Sequence, residues 1–370
     1  LKQKKVVIGV GIGATVGIGL NIALKTKIGM MLINRWGSSA KGSPRLMISR
    51  PLEEVKPEET GFEDYGHLKH FNIDKSLHKN VLITGSNSYI GETFAHYCAQ
   101  HYPNLTITTL DMKDERWREY TFRTKDGKAY DSVFHVAGIA HADVGKVSVP
   151  EQEKYYKVNT ELAIECCEKA KKSGVKQFIF MSSMIIYGGA KRIDEKTTPH
   201  PTNFYGNSKW LADKGVRALA DERYHVAVLR SPMIYGKGVK GNYRRLEKLA
   251  KTVPVFPDIR NKRSMIFIEN LCEFVAQLVL SCEGGIFFPQ NNEYSDTSQL
   301  VKCIAEVSGH KVYLMKSLIP FVKIAMRVSG KICDLVNKVF GSSYYDQNLS
   351  NYEGLFYCKY NLKESVYRIE

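Results

Sequence analysis

The chain has 370 residues, 44% of them hydrophobic and 11% aromatic, which suits one large domain or two ordinary ones and excludes a disordered chain. Its formal net charge is +15, but residues 1–50 hold nine Lys/Arg and no acid, and taking those nine away leaves +6 on the other 320 residues. The basic excess therefore belongs to the N-terminal end and does not mark a nucleic-acid-binding domain. None of the eight cysteines forms a Cys-x-x-Cys pair and no Cys/His cluster has zinc spacing, so a reduced chain without a metal site is expected.

The first predicted element is Val6 to Leu24, nineteen uncharged residues bounded by Lys2, Lys4 and Lys5 and by Lys25 and Lys27. As a helix it would be about 28 Å long, close to the ~30 Å bilayer core, and its five glycines are tolerated in membrane helices. Residues 1–36 thus read as a membrane anchor with a basic flank. The Lys/Arg-richer C-terminal side would place the rest of the chain on the cytoplasmic face of a membrane. A signal sequence or buried helix is one alternative. A phosphate loop at Gly11–Gly17 is another, but it needs an acid about 20 residues later, and none occurs before Glu53. Residues 37–77, with Pro44, Pro51, Pro57 and mixed charges, lack a sustained period and read as a linker.

From residue 78 the pattern is that of a doubly wound α/β domain. Val81-Leu-Ile-Thr84 is a short apolar strand, Gly85-Ser-Asn-Ser88-Tyr89-Ile90-Gly91 a small-residue turn, and Glu92 to Gln100 a helix. Strand, turn and helix N-terminus together make a pyrophosphate site. A second strand, Thr106–Leu110, ends in Asp111, twenty residues past Gly91. An acid there binds ribose hydroxyls and repels a 2′-phosphate, which predicts NAD as cofactor. Further strands are expected at 132–137, 177–182 and 225–230, separated by helices such as 151–173 and 208–221, as in a Rossmann-type parallel sheet.

Tyr205-Gly-Asn-Ser-Lys209 sets a phenol and an ammonium four residues apart, on one face of a helix. A tyrosine near pKa 10 is a poor base at neutral pH, and a nearby cation and a positive nicotinamide ring both favour its phenolate. The phenolate can then take a proton from a sugar hydroxyl as hydride leaves the same carbon. Ser183, at a strand end, can hydrogen-bond the same oxygen. These three residues form the expected catalytic group.

With these motifs in order, residues 78–370 resemble the extended short-chain dehydrogenase/reductases. The likeness is strongest to the NAD-dependent nucleotide-sugar epimerase/dehydratase family, whose best-known type is UDP-galactose 4-epimerase. Thr84-Gly85 to Gly91 matches the family's glycine turn, His135-Val136-Ala137-Gly138 the strand end that passes the adenosine and ribose, and Val158-Asn159 the helix asparagine. Ser182-Ser183-Met-Ile-Ile-Tyr187-Gly188 matches Ser-Ser-x-x-x-Tyr-Gly, and Arg230-Ser-Pro232 the next strand end. The resemblance implies that Gly85, Ser88, Tyr89, Ile90, Gly91, Asp111, Val136, Ala137, Gly138, Asn159, Lys209 and Pro232 bind NAD. It implies that Ser183, Tyr205, Asn242 in the Gly236–Tyr243 loop and Arg263 bind the substrate, with Arg263 clamping the diphosphate. It further implies a smaller C-terminal substrate lobe, mainly from residue 236, and a homodimer.

Three departures stand out. Ser88 replaces the middle glycine of the turn, where its Cβ is expected to crowd the backbone. Only twenty residues separate Asp111 from the strand at Ser132, so the family's third strand and helix must be shortened. The run after Arg263 has Ser264, Phe267 and Asn270 in place of the family's Asp and His. Dehydratases of the family carry Asp-Glu directly after the active-site hydroxyl, whereas Met184 and Ile185 stand here and cannot transfer protons. The expected function is therefore C4 epimerisation of a UDP-hexose through a transient 4-keto sugar, for cell-surface polysaccharide precursors. An NAD(P)H-dependent keto-sugar reductase and a non-catalytic NAD-binding regulatory protein are the alternatives.

Overall fold

The computed structural model describes residues 64–140, 147–327 and 330–370. Within them the chain divides into two compact units, a larger one of residues 64–245, 262–295 and 342–370 and a smaller one of 246–261 and 296–341.

The larger unit is built on short parallel strands, the central ones buried along most of their length. These are β1 (Lys79–Thr84), β2 (Leu105–Leu110), β3 (Ser132–His135), β4 (Gln177–Ser183), β6 (His225–Ser231) and β10 (Gly285–Phe287). All pair in parallel, in the order β10-β6-β4-β3-β1-β2. Strand order reverses between β1 and β3, where Thr84 lies opposite His135. Sheets of this type bind their ligands at such a switch point, outside the carboxyl ends of the strands. Only a 3-10 turn, Glu115–Arg118, occupies the stretch between Asp111 and β3, so β2 is the sheet edge and the shortened third strand expected from the sequence is a loop.

Crossover helices cover both faces. On one, Leu82, Val133, Phe178, Phe180, Val226 and Val228 pack with α3 (Leu162–Lys172) and α4 (Phe204–Arg217). Helix α3 offers Ala163, Cys166, Cys167 and Ala170, a helical i, i+3, i+4, i+7 stripe of small side chains. It follows α2 (Val149–Tyr156) through a π-helical turn, Lys157–Glu161. On the other face α1 (Tyr89–His101) sets Phe94 edge-on to Phe134, 5.2 Å between centroids, and packs beside α6 (Ile268–Ser281). Those two helices share a buried carboxylate: Tyr97 and Tyr102 donate to Glu273 at 2.7 and 2.8 Å, and Lys359 lies 2.7 Å from it. Short strand pairs complete the unit. The strand β5 (Arg192–Ile193) meets β12 (Tyr344–Tyr345), and β7 (Met233–Tyr235) meets β9 (Met265–Phe267). Helix α5 (Asn242–Ala250) begins in the larger unit, and α10 (Leu362–Ile369) closes it.

The smaller unit pairs β8 (Val255–Pro257) with β11 (Tyr313–Met315). Helices α7 (Thr297–Val307), α8 (Ile319–Ala325) and α9 (Lys331–Phe340) complete it. The Phe256 and Phe340 rings pack at a tilt with centroids 5.5 Å apart, and Asn261 accepts from the Thr297 N–H at the start of α7 at 2.8 Å.

The expected membrane pass requires correction. Residues 6–24 lie outside the described residues, and among those described no helix is long and apolar enough to cross a membrane. The described residues thus hold no membrane-spanning helix, and neither the membrane contact nor the cytoplasmic-face placement derived from one is retained. The eight cysteines, all within the described residues, are free thiols.

The Glu273 cluster gives a test of the α1–α6 packing. Replacing Glu273 with Leu strands two buried phenols and the Lys359 ammonium, and stability should fall by about 3 kcal/mol. Equilibrium urea unfolding measures it, and a loss under about 1 kcal/mol would show that the cluster does not hold the helices together.

Candidate active site

The turn after β1 carries the tightest backbone approach. Gly85 has φ +117°, a conformation that favours glycine, and a Cβ there would lie 2.7 Å from the Ala137 nitrogen. Ser88, expected to crowd the turn, sits instead in extended conformation at φ −85° and caps α1, its Oγ accepting from the Gly91 N–H at 3.1 Å. No glycine is needed there. The cap consumes one N–H and leaves those of Tyr89 and Ile90 as unpaired donors at the helix N-terminus. The Tyr89 hydroxyl is buried without a hydrogen-bond partner, 2.5 Å from where a Cβ on Gly236 would fall. Asp111 follows β2 directly and is exposed, its carboxylate accepting only from the Lys113 N–H at 2.9 Å.

At the end of β3, Val136 and Ala137 donate their N–H groups to the Thr84 carbonyl and Gly138 is exposed. A Cβ on Gly138 would stand 3.2 Å from both Lys209 Nζ and Asn159 Oδ1, so the missing side chain opens the strand end onto the ammonium. Asn159 projects from the π-helical turn, accepts from the Ile139 N–H at 2.8 Å and donates to Ser208 Oγ at 3.1 Å. Thr160 donates to the Ser208 carbonyl at 2.7 Å. The π turn therefore grips α4 between the two expected catalytic residues, a use to which such turns are often put. Nothing in the sequence pattern signalled it.

Helix α4 starts at Asn203, whose side chain accepts from the Gly206 N–H at 2.8 Å. A Cβ on Gly206 would be 3.0 Å from the Ile185 carbonyl, so glycine lets the helix start sit directly against the turn that follows Ser183. Tyr205 and Ser183, both half-buried, meet there. Burial pushes the Tyr205 phenol up to about 12, and the Ser183 hydroxyl pulls it back only in part. Lys209 is buried, donates from Nζ to the Met181 carbonyl at 2.9 Å and lies 5.1 Å from the Phe180 ring centroid. With no described carboxylate to offset it, burial brings its pKa down to about 8. The sequence expectation of a phenol already acidified by its lysine is thus reversed in the protein alone, where desolvation dominates.

His135 lies below this group. It is fully buried, shares a 2.8 Å hydrogen bond with Thr84 Oγ1 through Nδ1, and packs on Phe178 and Phe180. Burial, helped by the Lys209 charge, lowers its pKa to about 3. Pro232 is buried after β6, Asn242 is exposed as the first residue of α5, and Arg263 is half-buried just before β9. The backbone of Arg263 bridges Ser295 and Ser343, and burial lowers the pKa of its guanidinium.

These observations define a dinucleotide-dependent enzyme fold with a Ser, Tyr and Lys group at the switch point of the sheet. The match to known proteins agrees. The NAD dependent epimerase/dehydratase family matches residues 81–286, more than half of the chain. The chain belongs to that family and is an NAD-dependent enzyme of the epimerase, extended short-chain dehydrogenase/reductase type. It is 27% identical over 293 residues to a UDP-glucose 4-epimerase of Vibrio cholerae, covering 74% of this chain and 89% of that protein. It is 24% identical over 290 residues to N-acetyl-alpha-D-glucosaminyl-diphospho-ditrans,octacis-undecaprenol 4-epimerase of Escherichia coli O157:H7, covering 72% and 83%. In structure it resembles UDP-N-acetylglucosamine 4-epimerase from Bacillus cereus, with TM-score 0.58, 16% identity, and 79% and 98% of the two chains covered.

The His135 environment predicts a pH signature. Its folded pKa lies below the unfolded value of 6.5, so between pH 6.5 and 3 the unfolded chain binds more protons and stability falls as pH falls. At about 1.4 kcal/mol per unit, lowering pH from 6.5 to 5 should cost about 2 kcal/mol through this residue. His135→Gln should lose correspondingly less in urea unfolding over that interval, and equal losses in both proteins would contradict a neutral buried imidazole.

Proposed function

We propose that the protein is a nucleotide-sugar 4-epimerase acting on a UDP-hexose, with Tyr205 as the group that takes and returns the proton of the sugar hydroxyl. The observation that carries this reading is the meeting of Tyr205 with Ser183, with the Lys209 ammonium held at the neighbouring strand end beside Gly138, in a chain whose relatives include 4-epimerases.

The residues present suit NAD. The Gly85 turn runs where a side chain could not, the first N–H groups of α1 are free to meet an anion, and exposed Gly138 opens onto Lys209. Gly85, Ser88, Tyr89, Ile90 and Gly91 would hold the pyrophosphate, and Asp111 the adenine ribose. Val136, Ala137, Gly138, Asn159, Lys209 and Pro232 would line the remainder. When bound, NAD supplies a positively charged ring and an acceptor for the hydrogen on the sugar carbon.

The rest of the chemistry belongs to the chain. Tyr205 is protonated in the free protein and must first give its proton up to solvent; the Lys209 ammonium, held at the Met181 carbonyl, and the positive ring that NAD would supply both favour the phenolate that remains. Tyr205 then takes the hydroxyl proton while Ser183 donates a hydrogen bond to the same oxygen. The C–H bond breaks as the carbonyl forms, and after the keto sugar turns, Tyr205 returns the proton as hydrogen re-enters the opposite face. Arg263 would clamp the diphosphate and Asn242 would contact the sugar nucleotide. Met184 and Ile185 sit in the 3-10 turn after Ser183 and supply no acid or base, so an elimination of water has no proton carrier at that position.

Purified protein incubated with a panel of UDP-hexoses, with products read by NMR, should interconvert one C4 pair without net consumption of NAD. Tyr205→Phe should lower kcat by at least about 10³-fold while NAD stays bound. Near-normal turnover in that variant would remove the phenol from the reaction, and elimination or net oxidation products would replace the epimerase reading.

A further inference from the structure

Tyr205 and Lys209 begin a stripe along α4 that Asp213 continues, four residues further on. Asp213 is fully buried and so is Arg230 on β6. The two form a two-pronged ion pair, Arg230 Nε to Oδ2 at 3.0 Å and Arg230 Nη2 to Oδ1 at 3.1 Å. Arg217 Nε adds a contact to Oδ1 at 3.0 Å. Burial opposes the charge on Asp213, yet Arg230 and Arg217 keep the carboxylate ionised.

The remaining bonds of this pair converge on Ser183 from both sides. Ser182, its neighbour in β4, donates from Oγ to Asp213 Oδ2 at 2.9 Å. Tyr187, at the end of the turn that follows Ser183, accepts from Arg230 Nη1 at 2.7 Å. Tyr345 then fixes the strand carrying the arginine, donating to the Arg230 carbonyl at 2.6 Å. One ion pair thus holds the helix that carries Tyr205 and Lys209, the strand end before Ser183 and the turn after it. The helix start has no slack to take up an error, because Gly206 already lies against the Ile185 carbonyl.

We propose that Asp213 and Arg230 are positioning residues, whose ion pair sets the register of α4 on β4 so that Tyr205 meets Ser183 and Lys209 reaches the Met181 carbonyl. Neither touches substrate; both act through the residues they hold. A buried pair of this kind is weak support for stability, because well-packed apolar residues of similar volume often replace it without loss, and its attested use is to fix register. The inference rests on the proposed role of Tyr205 for its kinetic arm but not for its structural arm.

The test uses Asp213→Leu combined with Arg230→Met, which removes both charges together, since Asp213→Asn alone strands a buried guanidinium and can fail to fold. The folded double variant should keep NAD and hold KM for the epimerised UDP-hexose within about threefold, while kcat falls on the order of 100-fold, as expected for a displacement of about 1 Å. Asp213→Glu, which keeps the charge, should recover most of the rate. In parallel, crystal structures of parent and double variant should show the Tyr205 hydroxyl displaced from Ser183 by about 1 Å or more. A double variant with unchanged kcat, or with Tyr205 and Ser183 superposed on the parent, overturns the proposal. So does failure of the double variant to fold, which would make the pair a requirement of the fold. If the parent turns over no UDP-hexose, the functional reading fails and the structural comparison still decides the positioning role.

Discussion

An ammonium taken out of water at the carboxyl ends of two parallel strands is the constraint around which the catalytic half of this protein is arranged. Lys209 is buried, has one carbonyl as its hydrogen-bond partner among the described residues and is lowered to about 8 by desolvation. Holding a charge there is costly unless something else uses it. The Phe180 ring and the Met181 carbonyl lie beside it, and at Gly138 the absence of a side chain leaves room that a Cβ, 3.2 Å from the ammonium, would take. The same desolvation raises Tyr205, so phenol and ammonium are both held away from their solution behaviour. Such opposed shifts at a strand-end cleft are a mark of acid–base sites.

Much of this was legible in the chain. Five of the six strands of the main sheet fall where short runs rich in apolar and β-branched residues predicted them, and β10, three residues long, was not foreseen. That the stretch after Asp111 is cut short followed from its twenty residues, but a shortened strand and helix were expected there and the structure has a 3-10 turn and loop. Tyr205 and Lys209 were visible because a four-residue spacing on a helix brings side chains together whatever the rest of the fold does.

Other features were not readable, for identifiable reasons. Ser88 looked like a defect because spacing alone gives no φ; the extended backbone at that position turned it into a helix cap. The π-helical turn at Asn159 has no periodic signature. The phenol's direction of shift depends on the balance of burial against charge, which needs coordinates. Asp213 did leave a signal, an acid continuing the Tyr205 and Lys209 stripe, but its meaning required Arg230, on β6 and thirteen residues past the end of α4. The N-terminal apolar run drew a membrane reading from length and hydropathy alone, and no described helix has the properties to cross a bilayer.

Family membership fixes the cofactor and the class of enzyme, and the side chains at the strand ends bear on which reaction is run. The most direct measurement is a crystal structure with NAD and an unreactive UDP-hexose analogue bound. The account predicts the Tyr205 oxygen within about 3 Å of the sugar's C4 oxygen, with Ser183 bonded to that same atom. A sugar seated with C4 beyond about 5 Å of the phenol, and another acid or base against it, would contradict the assignment of Tyr205.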